Sequence, residues 1–316
     1  MAVFTEVKPV EAQRFLSAYG LPPLDAINGI AQGTENTNYK ILAGGKRYIL
    51  TLFEDRVAAE DLPYFLSLMS YAADQGLPAA WALADREGNR LSTLNGRPAA
   101  LISFVPGGPK MNPDPDSSYR SGAMLARFHA AMSGFSGKRP NSMGPPVWYE
   151  LIERAGSGIE RFGDGMEKDI SDTFDLLDRH WPKDLPLGTI HGDWFPDNIL
   201  LEHGEGEVTG LIDFYFACTE FLAYDLAIAM NAYTSEEGAV DLENARALRR
   251  GYESVRPLSR QEKEALPLLL CGSALRFFLT RAVDLLEHQG EVLYKPKDPL
   301  PWLRLMRHHR SQLEEA

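Results

Sequence analysis

The chain has 316 residues, 44% hydrophobic and 24% charged, with 32 Lys and Arg against 44 Asp and Glu for a formal net charge of −12 at pH 7. That composition excludes a disordered or fibrous chain, and the length supplies material for about two domains. The acidic balance argues against a non-specific nucleic-acid binder or an anionic-membrane binder, both of which need basic patches.

Residues 6–19 read as a leading helix ended by Gly20 and Pro22-Pro23. A hairpin follows: IAQGTENTNYKIL alternates towards its end, AGGK supplies turn residues and RYILTLF resumes as a β-rich run. Residues 57–75 carry apolar positions at helical spacing and stop at Gly76. Strands at 90–94 and 98–105 flank the Asn95-Gly96 turn, so the first hundred residues form a small antiparallel sheet with one helix. The proline- and glycine-rich stretch 106–118 suits a hinge, set at about 103–118. Beyond it the pattern is helical at 119–132, 148–162, 168–180, 221–232, 241–255 and 260–288, interrupted at 187–213 by two β-like pieces, NILLE and VTGLID. The expected architecture is α+β and two-lobed, 1–105 and 106–316.

Cys218 and Cys271 cannot make a disulfide framework for this length and read as free, buried thiols in a reducing compartment. The start lacks the pattern of a signal peptide, and the apolar stretch 265–286 is broken by Arg276, Arg281 and Asp284, so a soluble, cytoplasmic protein is expected. Most of the acidity lies in residues 101–250, with 13 basic and 24 acidic side chains.

The chemistry concentrates in His191-Gly192-Asp193-Trp194-Phe195-Pro196-Asp197-Asn198, an apolar Ile199-Leu200-Leu201, a polar turn and Leu211-Ile212-Asp213-Phe214. Singly, Asp193 reads as a cap or Asx-turn, Asn198 as a loop end and His191 as a packed histidine. Jointly, H-x-D-x-x-x-x-N followed by a hairpin and D-F is the spacing that phosphoryl transfer requires. One carboxylate accepts the proton of an attacking hydroxyl; a second, with an amide oxygen, holds Mg²⁺ against phosphates. Elsewhere no His/Cys cluster has metal-ligand spacing and no Gly-x-Ser-x-Gly appears. His129 reads as a packed helix histidine, and His308-His309 with Glu314-Glu315 as solvated surface.

HGDWFPDNIL, GLIDF and YDLA resemble the aminoglycoside-phosphotransferase and choline-kinase-like superfamily of small-molecule kinases, which share a protein-kinase-like fold. The resemblance implies ATP and Mg²⁺ as cofactors, Asp193 as catalytic base with His191 beside it, Asn198 and Asp213 as Mg²⁺ ligands, and Asp225 as the buried brace of the loop. It implies a nucleotide site in the first lobe: Gly29, Gly33, Glu35, Asn36 and Asn38 as a turn over phosphates, and Ser103, Phe104 and Val105 along the adenine edge. Kinase-like proteins place a Lys or Arg where Thr51 stands, paired to a helix acid for which Glu60 is the candidate. Lys40, Lys46 or Arg47 could substitute for it, or Mg²⁺ and backbone donors could suffice.

GTENTNY, RYILTLFE, VAAEDLPYFLSLM, LIDFYFAC, YDLAIAMNAY, GYESVRPLS and ALRFFLTR resemble the bacterial homoserine kinase family of that superfamily, from about residue 1 to 310. This implies transfer of the ATP γ-phosphoryl group to the hydroxyl of L-homoserine, giving O-phospho-L-homoserine for threonine synthesis, with neither nucleic acid nor membrane as partner. The substrate carboxylate needs a cation, for which Arg276 and Arg281 are candidates, against the plainer reading of an internal salt bridge to Asp284 or Glu287. Tyr215, Tyr224 and Asn231 are candidates for the pocket wall. Two alternatives stand beside this reading: a sister kinase acting on choline, methylthioribose or an aminoglycoside, and a non-catalytic nucleotide-binding module suggested by Thr51.

Overall fold

Gly44 and Gly45, with φ of 56° and 74°, close the turn between β2 (Asn36–Ala43) and β3 (Lys46–Phe53). Both values lie in the left-handed region that favours glycine, so the turn sets the register that pairs Asn38 with Thr51 and Lys40 with Ile49. The computed structural model describes residues 4–30, 36–54, 57–234, 240, 242–287 and 296–315.

β2 and β3 sit inside a five-stranded antiparallel sheet ordered β1 (Leu24–Gly29), β2, β3, β5 (Arg97–Ser103), β4 (Ser92–Leu94). One face packs on α1 (Pro9–Ala18), with Ala12, Phe15 and Leu16 against Tyr39, Ile41, Leu50, Leu52 and Leu101. The alternation of strand side chains then puts Asn38, Lys40, Ile49, Thr51, Phe53 and Ile102 on the other face. Phe53, Ala100 and Ile102 share a core there with α2 (Leu62–Asp74), which buries Leu62, Phe65, Leu66 and Met69, and with the helical part of the chain.

After β5 the chain makes a two-residue strand, β6 (Gly108–Pro109), and enters α3 (Pro115–Ala131), where Asp114 caps by accepting from Ser117 N at 2.8 Å. Then come α4 (Pro145–Ala155), α5 (Met166–His180), β7 (Leu187–Ile190), β8 (Ile199–Leu201), β9 (Val208–Leu211) and β10 (Cys218–Phe221). α6 (Leu222–Ala232), α7 (Glu243–Val255), α8 (Arg260–Glu287) and α9 (Leu300–Glu314) complete the described chain. β7 pairs with β10 and β8 with β9. The connections β7–β8 and β9–β10 must therefore run side by side, and these are the two loops singled out by motif.

Several expected elements shift. β7 and β10 were not anticipated, because four-residue strands such as LGTI and CTEF carry no readable period. The helix expected over 148–162 ends at Ala155, where Gly156 turns to φ 46° and the chain continues as a 3-10 turn. α9 was also unread, and it buries His309 at 6% exposure, so the tail histidines are not both solvated. α8 has the length and a mean hydropathy of 1.5 over an 18-residue window that could cross a membrane; with 78% of that window buried, it is a core helix.

α3 and α7 touch at reciprocal glycines: a Cβ on Gly122 would land on the Leu248 carbonyl, and one on Gly251 on the Tyr119 carbonyl. Backbone cannot yield as a flexible side chain can, so Gly122→Ala and Gly251→Ala should each destabilise the fold by about 1–3 kcal/mol or more, read as a lower denaturation midpoint. Gly45→Ala, with nothing within 4 Å of its Cβ, should cost only its positive φ.

Candidate active site

The loop between β7 and β8 hangs from one carboxylate. Asp225, in the first turn of α6 and fully buried, accepts from His191 N at 2.8 Å and Gly192 N at 2.9 Å. His129 Nε2 lies 3.0 Å from it; a carboxylate only accepts, so Nε2 carries the proton. His129 Nδ1 meets the Tyr252 hydroxyl at 2.8 Å, which meets Arg256 at 3.2 Å, itself paired to Glu262 at 2.8 Å. Burial pushes the Asp225 carboxyl up, yet the His129 bond, the two histidines and the backbone donors hold it below its usual range.

Gly192 has φ 74°, and a Cβ there would sit 2.6 Å from the Phe216 carbonyl oxygen, so the two loops can lie together only with glycine. Arg276, 3% exposed on α8, donates to Gly192 O at 2.9 Å and lies over the Phe277 and Phe216 rings at 4.2 and 5.5 Å. His191 is fully buried against Phe214 and Trp194, and its Nε2 meets Ile212 O at 3.1 Å. Burial pulls its pKa down to about 4, so it is neutral at pH 7. The expectation of a catalytic histidine gives way to a positioning one, which ties the loop to the residue before Asp213.

Asn198 Nδ2 donates both to Asp193 O and to Asp193 Oδ2, each at 2.9 Å. Two bonds on one amide nitrogen turn its Oδ1 away from Asp193. Ile212 N donates to Asn198 O at 3.1 Å, setting Asp213 beside Asn198, and Asp213 itself has φ 63°. Left-handed backbone at a non-glycine residue is held only where the surroundings enforce it. The result is a half-buried carboxylate next to an amide oxygen and a second carboxylate, an oxygen set suited to a hard divalent cation. Among the described residues no group of three or more His, Cys, Asp or Glu is placed to hold a metal ion.

Across the cleft, Gly29 closes β1 opposite Tyr39, and Asn36 Oδ1 accepts from Glu54 N at 3.4 Å; Gly33 and Glu35 lie outside the described residues. Thr51, 3% exposed, donates to Asn38 Oδ1 at 2.7 Å. Glu60 is exposed, and its neighbour Asp61 pairs with Arg139 at 2.7 Å, so no strand–helix ion pair runs from β3 to Glu60. Lys40 and Arg47 lie over Phe104 at 5.8 and 4.0 Å, while Lys46 sits exposed at the turn. Ser103 N is spent on Trp81 O at 2.8 Å, which moves the expected backbone edge onto Phe104 and Val105.

The expected pocket wall separates into different places. Asn231, 2% exposed, gives its amide to Leu270 O and Ser273 Oγ and accepts from His309 Nε2 at 2.8 Å; it cross-links α6, α8 and α9 and has no side for a substrate. Tyr224 is buried against Trp181. Arg281 donates to Asp298 O at 3.0 Å and lies 5.4 Å from the Trp302 ring, and Glu287 pairs with Arg154 of α4 at 2.6 Å. Tyr215 packs between Phe53 and Phe65. The part that His129 and Tyr252 play in completing the Asp225 network was not anticipated: each is a polar residue on a buried helix face, a signal shared with many packed residues.

The model of the phosphotransferase enzyme family matches residues 26–258. A homoserine kinase of Gluconobacter oxydans (strain 621H) is 43% identical over 314 residues, covering 98% of this chain and 99% of that protein. A homoserine kinase of Rhizobium meliloti (strain 1021) is 44% identical over 317 residues, covering 100% and 97%. Among solved structures, a microcompartment-associated aminopropanol kinase superposes with a TM-score of 0.74 at 18% identity, covering 98% of each chain. An amicoumacin kinase in complex with AMP-PNP, Ca²⁺ and Ami gives 0.69 at 15%, covering 98% of this chain and 94% of that one. These two likenesses speak for a kinase-like fold.

Asp225→Asn keeps the shape but offers the loop a weaker acceptor and the His129 proton no charge. The variant should lose about 3–5 kcal/mol of stability, read by urea unfolding. Acid should also unfold the protein through its buried histidines. The folded-state pKa of His191, about 4, lies below the ordinary 6.5, so its contribution is complete above pH 6.5 and is lost as pH falls towards 4. That gap is worth about 3 kcal/mol. A melting temperature flat from pH 6.5 to 4 would contradict it.

Proposed function

The chain belongs to the phosphotransferase enzyme family, and we propose from that premise that it is a homoserine kinase, transferring the γ-phosphoryl group of ATP to the hydroxyl of L-homoserine. Asp193 accepts the hydroxyl proton as the homoserine oxygen forms its bond to Pγ and the bond from Pγ to the bridging oxygen of ADP breaks. The products are ADP and O-phospho-L-homoserine. The observation that carries this reading is the fixing of Asp193 by Asn198 within a loop suspended from Asp225, since positioning supplies much of the barrier reduction in phosphoryl transfer.

Asn198 Oδ1 and Asp213 would hold Mg²⁺; the donors fit, because the amide is oriented by its two bonds to Asp193 and both ligands are hard oxygens. Bound there, the ion neutralises charge on the phosphates. ATP would lie under the sheet face that carries Asn38, Ile49 and Thr51, its adenine against Phe104 and Val105. For the substrate carboxylate we assign Arg276. One edge of its guanidinium is anchored on Gly192 O, and its buried Nε finds no hydrogen-bond partner within the protein. Two buried free cysteines suit a reducing compartment, which supports a cytoplasmic setting for the reaction.

A panel of hydroxyl-bearing amino acids and amines, followed by coupled ADP release with Mg-ATP, tests the assignment. Homoserine should be turned over, and Asp193→Asn should lower kcat by about 10²–10⁴-fold with KM for ATP little changed. Turnover of choline or an aminoglycoside with none of homoserine would overturn the substrate assignment.

A further inference from the structure

The position that carries a cation in kinase-like folds is Thr51 here, and the helix acid expected to meet it, Glu60, is exposed. The link between β3 and α2 is apolar instead, through the core that Phe53 shares with Leu62 and Phe65. The Tyr215 ring meets Phe53 of β3 edge-on at 5.3 Å and 82°, and Phe65 of α2 at 5.8 Å and 88°. Both are T-shaped contacts, the favoured geometry for aromatic pairs. On the same strand as Phe53, Thr51 donates to Asn38 Oδ1 at 2.7 Å on β2. Arg139 covers the Phe65 ring at 5.0 Å and binds Asp61 at the start of α2, which pins that helix from the other side.

Tyr215 stands two residues after Asp213, where a D-F-G sequence would have glycine. Phe214, between them, is fully buried against His191. The segment is thus held at both flanks: His191 on Ile212 O before Asp213, and the Phe53–Phe65 slot after it. Asp213, at φ 63°, cannot relax to ordinary backbone without pulling the Tyr215 ring from that slot.

We propose that Tyr215 is a positioning residue, its ring replacing the strand–helix ion pair of kinase-like folds and fixing Asp213 for the metal–nucleotide complex. This rests on the kinase reading of the site but not on homoserine as acceptor. Ring contacts carry the effect, and the hydroxyl adds little. A neutral strut also suits a site that already gathers Asp193, Asp213 and a polyphosphate, since it brings no charge needing a partner of its own.

Calorimetric titration of the full chain with ATP, in Mg²⁺ and in EDTA, reads this without an acceptor. Tyr215→Ala should weaken Mg-ATP binding by about 10–100-fold, as loss of a residue supporting a metal ligand does, and leave metal-free ATP binding within about threefold. Tyr215→Phe should restore wild-type behaviour in both titrations. Should Tyr215→Ala fail to fold, Phe53→Leu, which removes one edge-on contact at little cost in volume, should give the same selective loss in smaller measure. Equal weakening with and without Mg²⁺ would overturn the proposal, as would unchanged Mg-ATP binding with a raised KM for the acceptor, which would make Tyr215 a pocket residue. Wild type that binds Mg-ATP selectively yet ignores homoserine would overturn the acceptor alone; wild type that binds no Mg-ATP would overturn the kinase reading and this proposal with it.

Discussion

A buried carboxylate must be met by donors on every side or it unfolds the segment that carries it. Asp225 meets that demand with the backbone of His191 and Gly192 and with His129, and the demand fixes the rest of the site. The loop cannot leave the carboxylate, so Asp193 is presented at one height above α6. Gly192 must turn left-handed to reach it, which brings the Phe216 backbone within contact and lays the second loop alongside. The pairing of β7 with β10 and β8 with β9 enforces the same arrangement from the ends. Arg276 closes it from α8 by donating to Gly192 O.

The cleft between sheet and helices shows a different economy. The strand position where kinase-like folds carry a cation is Thr51, the candidate acid Glu60 is exposed, and an aromatic slot of Phe53, Phe65 and Tyr215 stands between strand and helix. Exchanging a partly solvated ion pair for buried rings avoids a desolvation cost that grows with burial. It also moves the link onto the segment that carries Asp213, because Tyr215 belongs to it.

Much of this was legible before any coordinates. The spacing from His191 to Asn198 and on to Asp213 picked out the two loops that lie side by side in the fold, since convergent loops need that spacing and little else. The Gly44-Gly45 turn and the period of YILTLF located the central hairpin. What escaped has identifiable causes. Asn231 looked available because sequence cannot show that His309, 78 positions away, takes its carbonyl oxygen. Sequence could not choose between Arg276 and Arg281 on one helix; one faces the loop that carries Asp193 and the other the Trp302 ring. His129 and Tyr252 act through a partner on a third helix, and no local pattern announces such a network.

Amide hydrogen exchange at His191 and Gly192 tests the central claim most directly, because both N–H groups are bonded to Asp225 and exchange reports their opening. The account predicts that both exchange only as slowly as the protein unfolds globally. It further predicts that Asp225→Asn speeds these two selectively, while amides of the α1-packed face of the sheet keep their protection relative to global stability. Rapid exchange of either amide in the wild type, at the rate of a solvated loop, would contradict it.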